Sequence, residues 1–121
     1  HFKKINDHYG HDAGDQVLKH ISDLFVATLR HTDIVGRFGG EEFILLLPDT
    51  DLDNAMIVIN RLREKLQASS VRADDHEIKI TATFAVTEVT QDDATIEDVI
   101  RRADKALYQG KEAGRNQVVA S

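Results

Sequence analysis

Residues 33–48, DIVGRFGGEEFILLLP, restrict the fold of this chain more than any other stretch. The adjacent glycines Gly39 and Gly40 separate two apolar runs and supply the positive φ that a tight hairpin requires, so the runs are read as antiparallel neighbours. Pro48, the single proline, stops the second run because it has no N–H to give to a sheet ladder. The turn also puts two carboxylates, Glu41 and Glu42, at the mouth of a strand that is otherwise apolar.

Amphipathic segments flank this hairpin. In residues 16–30, Val17, Leu18, Ile21, Leu24, Phe25 and Leu29 recur at intervals of three and four, which predicts a helix, with Asp15 after Gly14 as its N-cap. Thr50 followed by Asp53 resembles a capping box, and Leu52, Ala55, Met56, Ile59, Leu62 and Leu66 mark one face of a second helix. The polar SSVRADDHE is read as a loop. After it, IKITATFAV alternates, with Ile78, Ile80, Ala82, Phe84 and Val86 on one side, and predicts a single strand. A third helix is expected from about Thr95, carrying Ile96, Val99, Ile100, Ala103, Ala106 and Leu107 and ending at Gly114. NQVVA is read as a short last strand. The order is helix, strand, strand, helix, strand, helix, strand. With a strand ahead of His1 this is an α+β fold of the ferredoxin-like kind, helices packed on a mainly antiparallel central sheet, in one domain over residues 1–121.

Composition narrows the function. A formal net charge of −6 lacks the basic footprint that binding a nucleic-acid polymer needs, though a small anion held by a few local cations remains compatible. Without cysteine there is no disulfide framework and no thiolate ligand or nucleophile, which suits a reducing cytosol. The longest apolar run, residues 43–47, is far too short to span a bilayer. The chain opens at His1 without methionine, and HFKKIND reads as the exit from a strand, so upstream residues are expected.

Three clusters carry chemical potential. Glu41 and Glu42 read alone are solvated turn acids; the sharper alternative is a hard divalent cation, since magnesium takes oxygen ligands from one or two carboxylates and from substrate phosphates. Gly39 and Gly40 remove the side chains that would block a phosphate's approach. FKKINDHYGHDAGD gathers Lys3, Asn6, His11 and Asp15 near a helix start, and Asp15 and Asn6 suit guanine: a carboxylate accepts from its N1–H and N2–H₂, while an amide both donates and accepts. The bland reading is that Asp15 caps its helix and Asn6 sits in a turn. HYGH has no third ligand nearby to make a zinc site of His8 and His11. In YQGKEAGRN, Lys111 and Arg115 flank the last turn of a helix, where cations complement the dipole or meet a phosphate; GKEAGR is not a Walker loop.

Together FKKINDHYGHDAGD, RHTDIVGRFGGEEF, LPDT and RADKALYQGKEAGRN resemble, in order and spacing, the GGDEF family, the diguanylate cyclases of bacterial signalling. The resemblance implies a palm-like fold of the nucleotidyl cyclase type and the condensation of two GTP into cyclic di-GMP with release of two pyrophosphates. It implies that Glu41 is a metal ligand and candidate base, and that Glu42 is the second signature acid. By the same resemblance Asn6 and Asp15 read guanine, His11 is a further substrate contact, and Lys3, Lys111 and Arg115 meet the triphosphate. Two Mg²⁺ ions per site are implied, with Mn²⁺ as a substitute. Also implied are a homodimer in which each subunit presents one GTP, and a sensory or receiver domain upstream. A cytoplasmic location is expected, any membrane tether lying in upstream segments.

Arg30 and Asp33 match the family's RxxD product-inhibition motif, and Arg61 falls where the family often supplies a partner arginine. Two departures stand out. The family's strand before HFK carries a metal-bridging aspartate, and the sequence begins after that point, which is read as N-terminal truncation of the domain. Thr83 and Ala85 also replace the Ser and Gly often found in ITATFAV. The alternatives are a degenerate domain that binds GTP or cyclic di-GMP as a sensor or scaffold, and a magnesium-dependent nucleotidyl cyclase of other base preference.

Overall fold

The computed structural model describes residues 11–37, 42–73 and 76–121, and divides the chain into two compact units. One takes His1–Pro48 and Ala68–Ile80, the other Asp49–Gln67 and Thr81–Ser121.

In the first unit, helix α1 (His11–Thr28) buries Ala13, Val17, Leu18 and Phe25. The strands β1 (Ile34–Arg37) and β2 (Phe43–Leu46) pair antiparallel, as expected from the sequence, with Ile34 opposite Leu46 and Arg37 opposite Phe43. Phe43 meets Phe25 edge to face, ring centroids 5.5 Å apart at 82°. Strands β3 (Ser70–Ala73) and β4 (His76–Lys79) form a second antiparallel pair, and α1 lies against β3 and β1. His20 Nε2 and Ser69 Oγ share a hydrogen bond of 2.9 Å within this unit.

Helix α2 (Leu52–Ala68) opens the second unit and buries the predicted face through Ala55, Ile59, Leu62 and Leu66. Then come β5 (Phe84–Val86), α3 (Ile96–Glu112) and β6 (Val118–Ala120). β5 and β6 run parallel, Ala85 opposite Val119, since a connection long enough to hold a 17-residue helix returns the chain in the same direction. Thr95 caps α3 in a full capping box with Asp98.

Five local expectations change. Asp15 is not an N-cap: α1 already includes His11, because Ala13 and Gly14 are small enough to be buried where the helix packs. The cap of α2 is Asp51, whose carboxylate accepts from the Asn54 N–H at 2.8 Å, one residue on from the predicted Thr50. SSVRADDHE is not a loop but most of the β3–β4 hairpin, in which buried Val71 faces Ile78 across the ladder. The strand predicted over residues 78–86 is interrupted at residues 80–83, where the chain passes from one unit to the other; Ile78, Ile80 and Val86 stay buried. Ile96, expected on the apolar face of α3, is 55% exposed because it is the first residue after the cap.

Two features of α3 help fix the second unit. Gly110 is buried on α3, and a Cβ there would stand 2.8 Å from Val119 Cγ2 and 3.0 Å from Thr83 Cγ2. Both neighbours are β-branched and stiff at χ1, so neither yields easily. Arg102 ties α3 to the loop 87–93: it donates to Thr87 Oγ1 at 2.6 Å, to Asp93 Oδ1 at 2.7 Å and to the Glu88 carbonyl at 2.8 Å. These Arg102 hydrogen bonds, with the Thr90 N–H second, pull the Asp93 carboxyl from 3.8 to about 2.

Gly110→Ala is therefore expected to cost about 1–3 kcal/mol of overpacking, against roughly 1 kcal/mol gained in helix propensity, and to lower the thermal unfolding midpoint. An unchanged or raised midpoint would show that Val119 and Thr83 give way. Because the folded pKa of Asp93 is depressed, the stability its charge contributes is whole above 3.8 and is lost as pH falls toward about 2. Unfolding midpoints of the parent and Asp93→Asn, taken from pH 6 down to 2, should differ at the upper end and converge at the lower; parallel curves would remove the ion pair from the account.

Candidate functional site

Along α1, Leu18 and Lys19 lie three and four residues from both Asp15 and Ser22, so the four share one side of the helix. With Asp23, and with Arg37 and Phe43 paired across the β1–β2 ladder, they line a cleft of about 290 Å³ in the first unit. Leu18 is buried and Phe43 half-buried, giving the cleft an apolar wall, while Asp15 is exposed at its edge. Phe43 is held by its edge contact with Phe25, and Arg37 is held opposite it by strand register. A flat, apolar ring with N–H donors on one edge would suit such a place, since Leu18 and Phe43 offer apolar surface and the Asp15 carboxylate can accept. Of the cleft residues only Asp15 is expected from its chemistry in sequence. Leu18, three residues along the same helix, and Arg37 and Phe43, which bracket FGGEE, become visible once the ladder is known.

Glu42 immediately precedes β2 and is exposed, with no hydrogen-bond or ion-pair partner among the described residues. Lys3, Asn6, Gly39, Gly40 and Glu41 lie outside the described residues, and His11 is the first residue of α1. Among the described residues no group of three or more His, Asp or Glu gathers as a metal site. The donor chemistry at residues 41 and 42 nevertheless fits magnesium or manganese: both are carboxylates, with no sulfur or imidazole between them.

The Arg30 and Asp33 side chains meet each other. Arg30 Nη2 lies 2.8 Å from Asp33 Oδ1, Arg30 Nε 3.2 Å from the same oxygen, and the Arg30 backbone N–H donates to Oδ2 at 2.9 Å. Asp33 is 2% exposed at its side chain, and the Arg30 hydrogen bonds hold its carboxyl below the ordinary value, against the opposing effect of burial. Arg30 Nη2 also donates to the Pro48 carbonyl at 3.1 Å, joining the exit of α1 to the end of the second hairpin strand. RxxD is thus a local bidentate clamp in this structure.

In the second unit Arg61 is exposed on α2, Lys111 is exposed in the last turn of α3, and Arg115 is exposed in the turn that follows. That turn is closed by the Ala113 N–H on the Gln109 carbonyl at 2.9 Å and the Arg115 N–H on the Gly110 carbonyl at 3.0 Å, with Gly114 at φ 123°, as the predicted helix stop requires. Thr83, singled out in the sequence as a departure, accepts the Asn116 N–H on Oγ1 at 3.1 Å. A hydroxyl is the working group there, and threonine supplies it as serine would. Ala85 is taken up in the β5–β6 ladder without loss of register.

Comparison with known proteins places this geometry. The family model described as "Diguanylate cyclase, GGDEF domain" matches residues 1–117. Diguanylate cyclase A of Treponema denticola is 40% identical over 120 residues, which is 99% of this chain and 32% of that protein. The diguanylate cyclase SiaD of Pseudomonas aeruginosa, solved with its activator SiaC, superposes with a TM-score of 0.94 at 41% identity, over 99% of this chain and 46% of that one. The active GGEEF domain of a diguanylate cyclase from Vibrio cholerae gives 0.84 at 34% identity, over 98% and 75%. The chain spans about a third of the length of its Treponema relative. The helices, the antiparallel pairs and these likenesses together make the fold the α+β, palm-like fold of nucleotidyl cyclases. The chain belongs to the GGDEF family, whose model runs through both the cleft of the first unit and the cationic turn of the second.

Proposed function

We propose that this chain is the catalytic domain of a diguanylate cyclase, one GGDEF domain over residues 1–121, which condenses two GTP into cyclic di-GMP and two pyrophosphates. The observation that carries the reading is the cleft: Leu18 and Phe43 give it an apolar wall and Asp15 a carboxylate, as a guanine with its N–H donors needs, and Phe43 follows Glu42 by one residue and Glu41 by two. The name of the Vibrio cholerae neighbour, an active GGEEF domain, supports chemistry rather than mere binding.

On this reading Asn6 and Asp15 read the base, His11 makes a further contact, and Gly39 and Gly40 let phosphate approach the backbone. Glu41 would be this chain's ligand to the two magnesium ions, which when bound neutralise charge around the α-phosphate, and Glu42 is the second acid that activity needs. Glu41 takes the proton of the attacking 3′-hydroxyl. That oxygen bonds to the α-phosphorus of the second GTP as the bond to pyrophosphate breaks, and the same exchange in reverse sense closes the ring. Lys3, Lys111 and Arg115 stabilise the charge gathering on the leaving pyrophosphate. Two protomers are needed, because one domain offers one nucleotide. Arg30 and Asp33 are the proposed product-inhibition motif, where a phosphate must share or displace the Asp33 carboxylate on the Arg30 guanidinium, and Arg61 is the proposed partner arginine.

Protein that includes the strand ahead of His1, incubated with GTP and magnesium, should yield cyclic di-GMP and pyrophosphate in a ratio of about one to two by the balance above. Chelation should stop it, and Glu41→Gln should lower kcat by roughly a hundredfold or more. Binding of GTP without product, in parent and variant alike, would favour the sensor reading and reject the enzyme. Asp15→Asn should raise KM for GTP by about ten- to a hundredfold; an unaltered KM would take the base out of this cleft.

A further inference from the structure

Arg115 occupies a backbone conformation that arginine does not favour. Gly114, Arg115 and Asn116 have φ of 123°, 63° and 46° in succession. Glycine and asparagine enter this region readily, whereas arginine enters it only when its surroundings hold it there. The holding groups are visible on both sides. Before it, the helix closes on the Gly110 carbonyl, which accepts from the Arg115 N–H at 3.0 Å and from Gln117 Nε2 at 3.0 Å. After it, the Asn116 N–H donates to Thr83 Oγ1 at 3.1 Å, and Asn116 Oδ1 accepts from Arg63 Nη1 at 3.2 Å. Arg63 is itself fixed along α2 by Asn60 Oδ1 at 2.9 Å. Asn116 is thus anchored to the residue ahead of β5 through its backbone and to α2 through its side chain. The Arg115 side chain is exposed and has no partner among the described residues.

We propose that Thr83, Asn116 and Arg63 are positioning residues for substrate: they hold the left-handed backbone at Arg115 and thereby aim its guanidinium at the triphosphate. This deepens the reading of Arg115 as a phosphate contact and rests on it. The physical reason is preorganisation. A long, rotamer-rich side chain binds an anion well only if its root is already directed, and relaxation of residue 115 to a right-handed conformation would swing Cβ to another heading. The Thr83 hydroxyl is an acceptor that valine, of the same shape, lacks; the Asn116 N–H would then lose its partner and its hold on the turn. The effect falls on phosphates and spares the base, since none of the three residues lines the cleft at Asp15.

That selectivity gives the test. Dissociation constants of 3′-deoxy-GTP and 3′-deoxy-GMP, which lack the attacking hydroxyl, are measured by calorimetry with magnesium, with thermal unfolding to check folding. Arg115→Ala should reduce the preference for triphosphate over monophosphate by about tenfold. Thr83→Val should reduce it by a similar factor, Thr83→Ser should keep it within about twofold, and Thr83→Val added to Arg115→Ala should change nothing further. Asn116→Gly, which accepts positive φ but releases Arg63, should lower the preference in the same direction and serves where the valine variant does not fold. Equal weakening of both ligands, an unaltered preference in Thr83→Val, or additivity with Arg115→Ala would overturn the positioning role and leave the phosphate contact standing. An unaltered preference in Arg115→Ala would overturn the phosphate contact, and this inference with it.

Discussion

The second unit depends on the absence of one side chain. Helix α3 reaches β5 and β6 closely because residue 110 is glycine, and the space a methyl group would need is taken by Val119 and Thr83. A mid-helix glycine costs about 1 kcal/mol against alanine, so its place in the last turns of α3 reflects packing rather than propensity. Consequences follow along the chain. With the helix seated this low, the Gly110 carbonyl can accept from both Arg115 and Gln117, and the turn that begins at Gly114 lands beside Thr83. Toward the other end of α3, Arg102 ties the entering loop to the helix through Thr87, Glu88 and Asp93, here with a charged donor.

The first unit uses a different device. Its hairpin is held at the two ends of β2: Phe43 at the start packs edgewise on Phe25 of α1, and Pro48, just past the end, receives Arg30 from the exit of α1. The acidic signature therefore adjoins a strand whose position is referred to α1 at both ends. The cleft is built from those same two elements. An anion that drew Arg30 away from Asp33 and Pro48 would act on one of these two fastenings, which gives an RxxD ligand a route to the hairpin through the chain itself.

Much of this was legible in sequence, and the failures have physical causes. The β1–β2 hairpin, the buried face of α2, the Thr95 start and the Gly114 stop all rest on local chemistry: a turn requirement, a period of 3.6, a cap, a positive φ. Asp15 was misread as a cap because Gly14 looks like a breaker until burial shows that smallness is what the site needs. The β3–β4 pair is hidden by its polarity, since among its described side chains only Val71 and Ile78 are buried and such a short strand shows little alternation. The break within residues 78–86 keeps the alternation of its buried side chains, so no period could reveal that the ladder partner is lost. The part played by Thr83 was out of reach, because its partner, Asn116, lies 33 residues on.

The cationic turn also answers a problem set by charge. This chain has 21 acidic residues against 15 Lys and Arg, so its overall field repels a nucleoside triphosphate, and attraction must come from cations at fixed places. The C-terminus of a helix is a poor place for it, carrying about half a negative charge from the peptide dipoles. Lys111 offsets that charge within the last turn of α3. Arg115, if it followed right-handed on the same axis, would add its charge beside the same carbonyls and be largely spent on them. The left-handed run from Gly114 to Asn116 instead turns the chain off the axis, after the Gln109, Gly110 and Lys111 carbonyls have been satisfied by backbone N–H groups. What remains beyond the turn is a cation whose charge the helix end has not consumed. Its backbone is held against its own preference by Thr83 and Asn116, which carry no charge, and by Arg63, whose guanidinium is occupied by Asn60 and Asn116, which is the arrangement expected where an acidic domain must meet an anion at one place only.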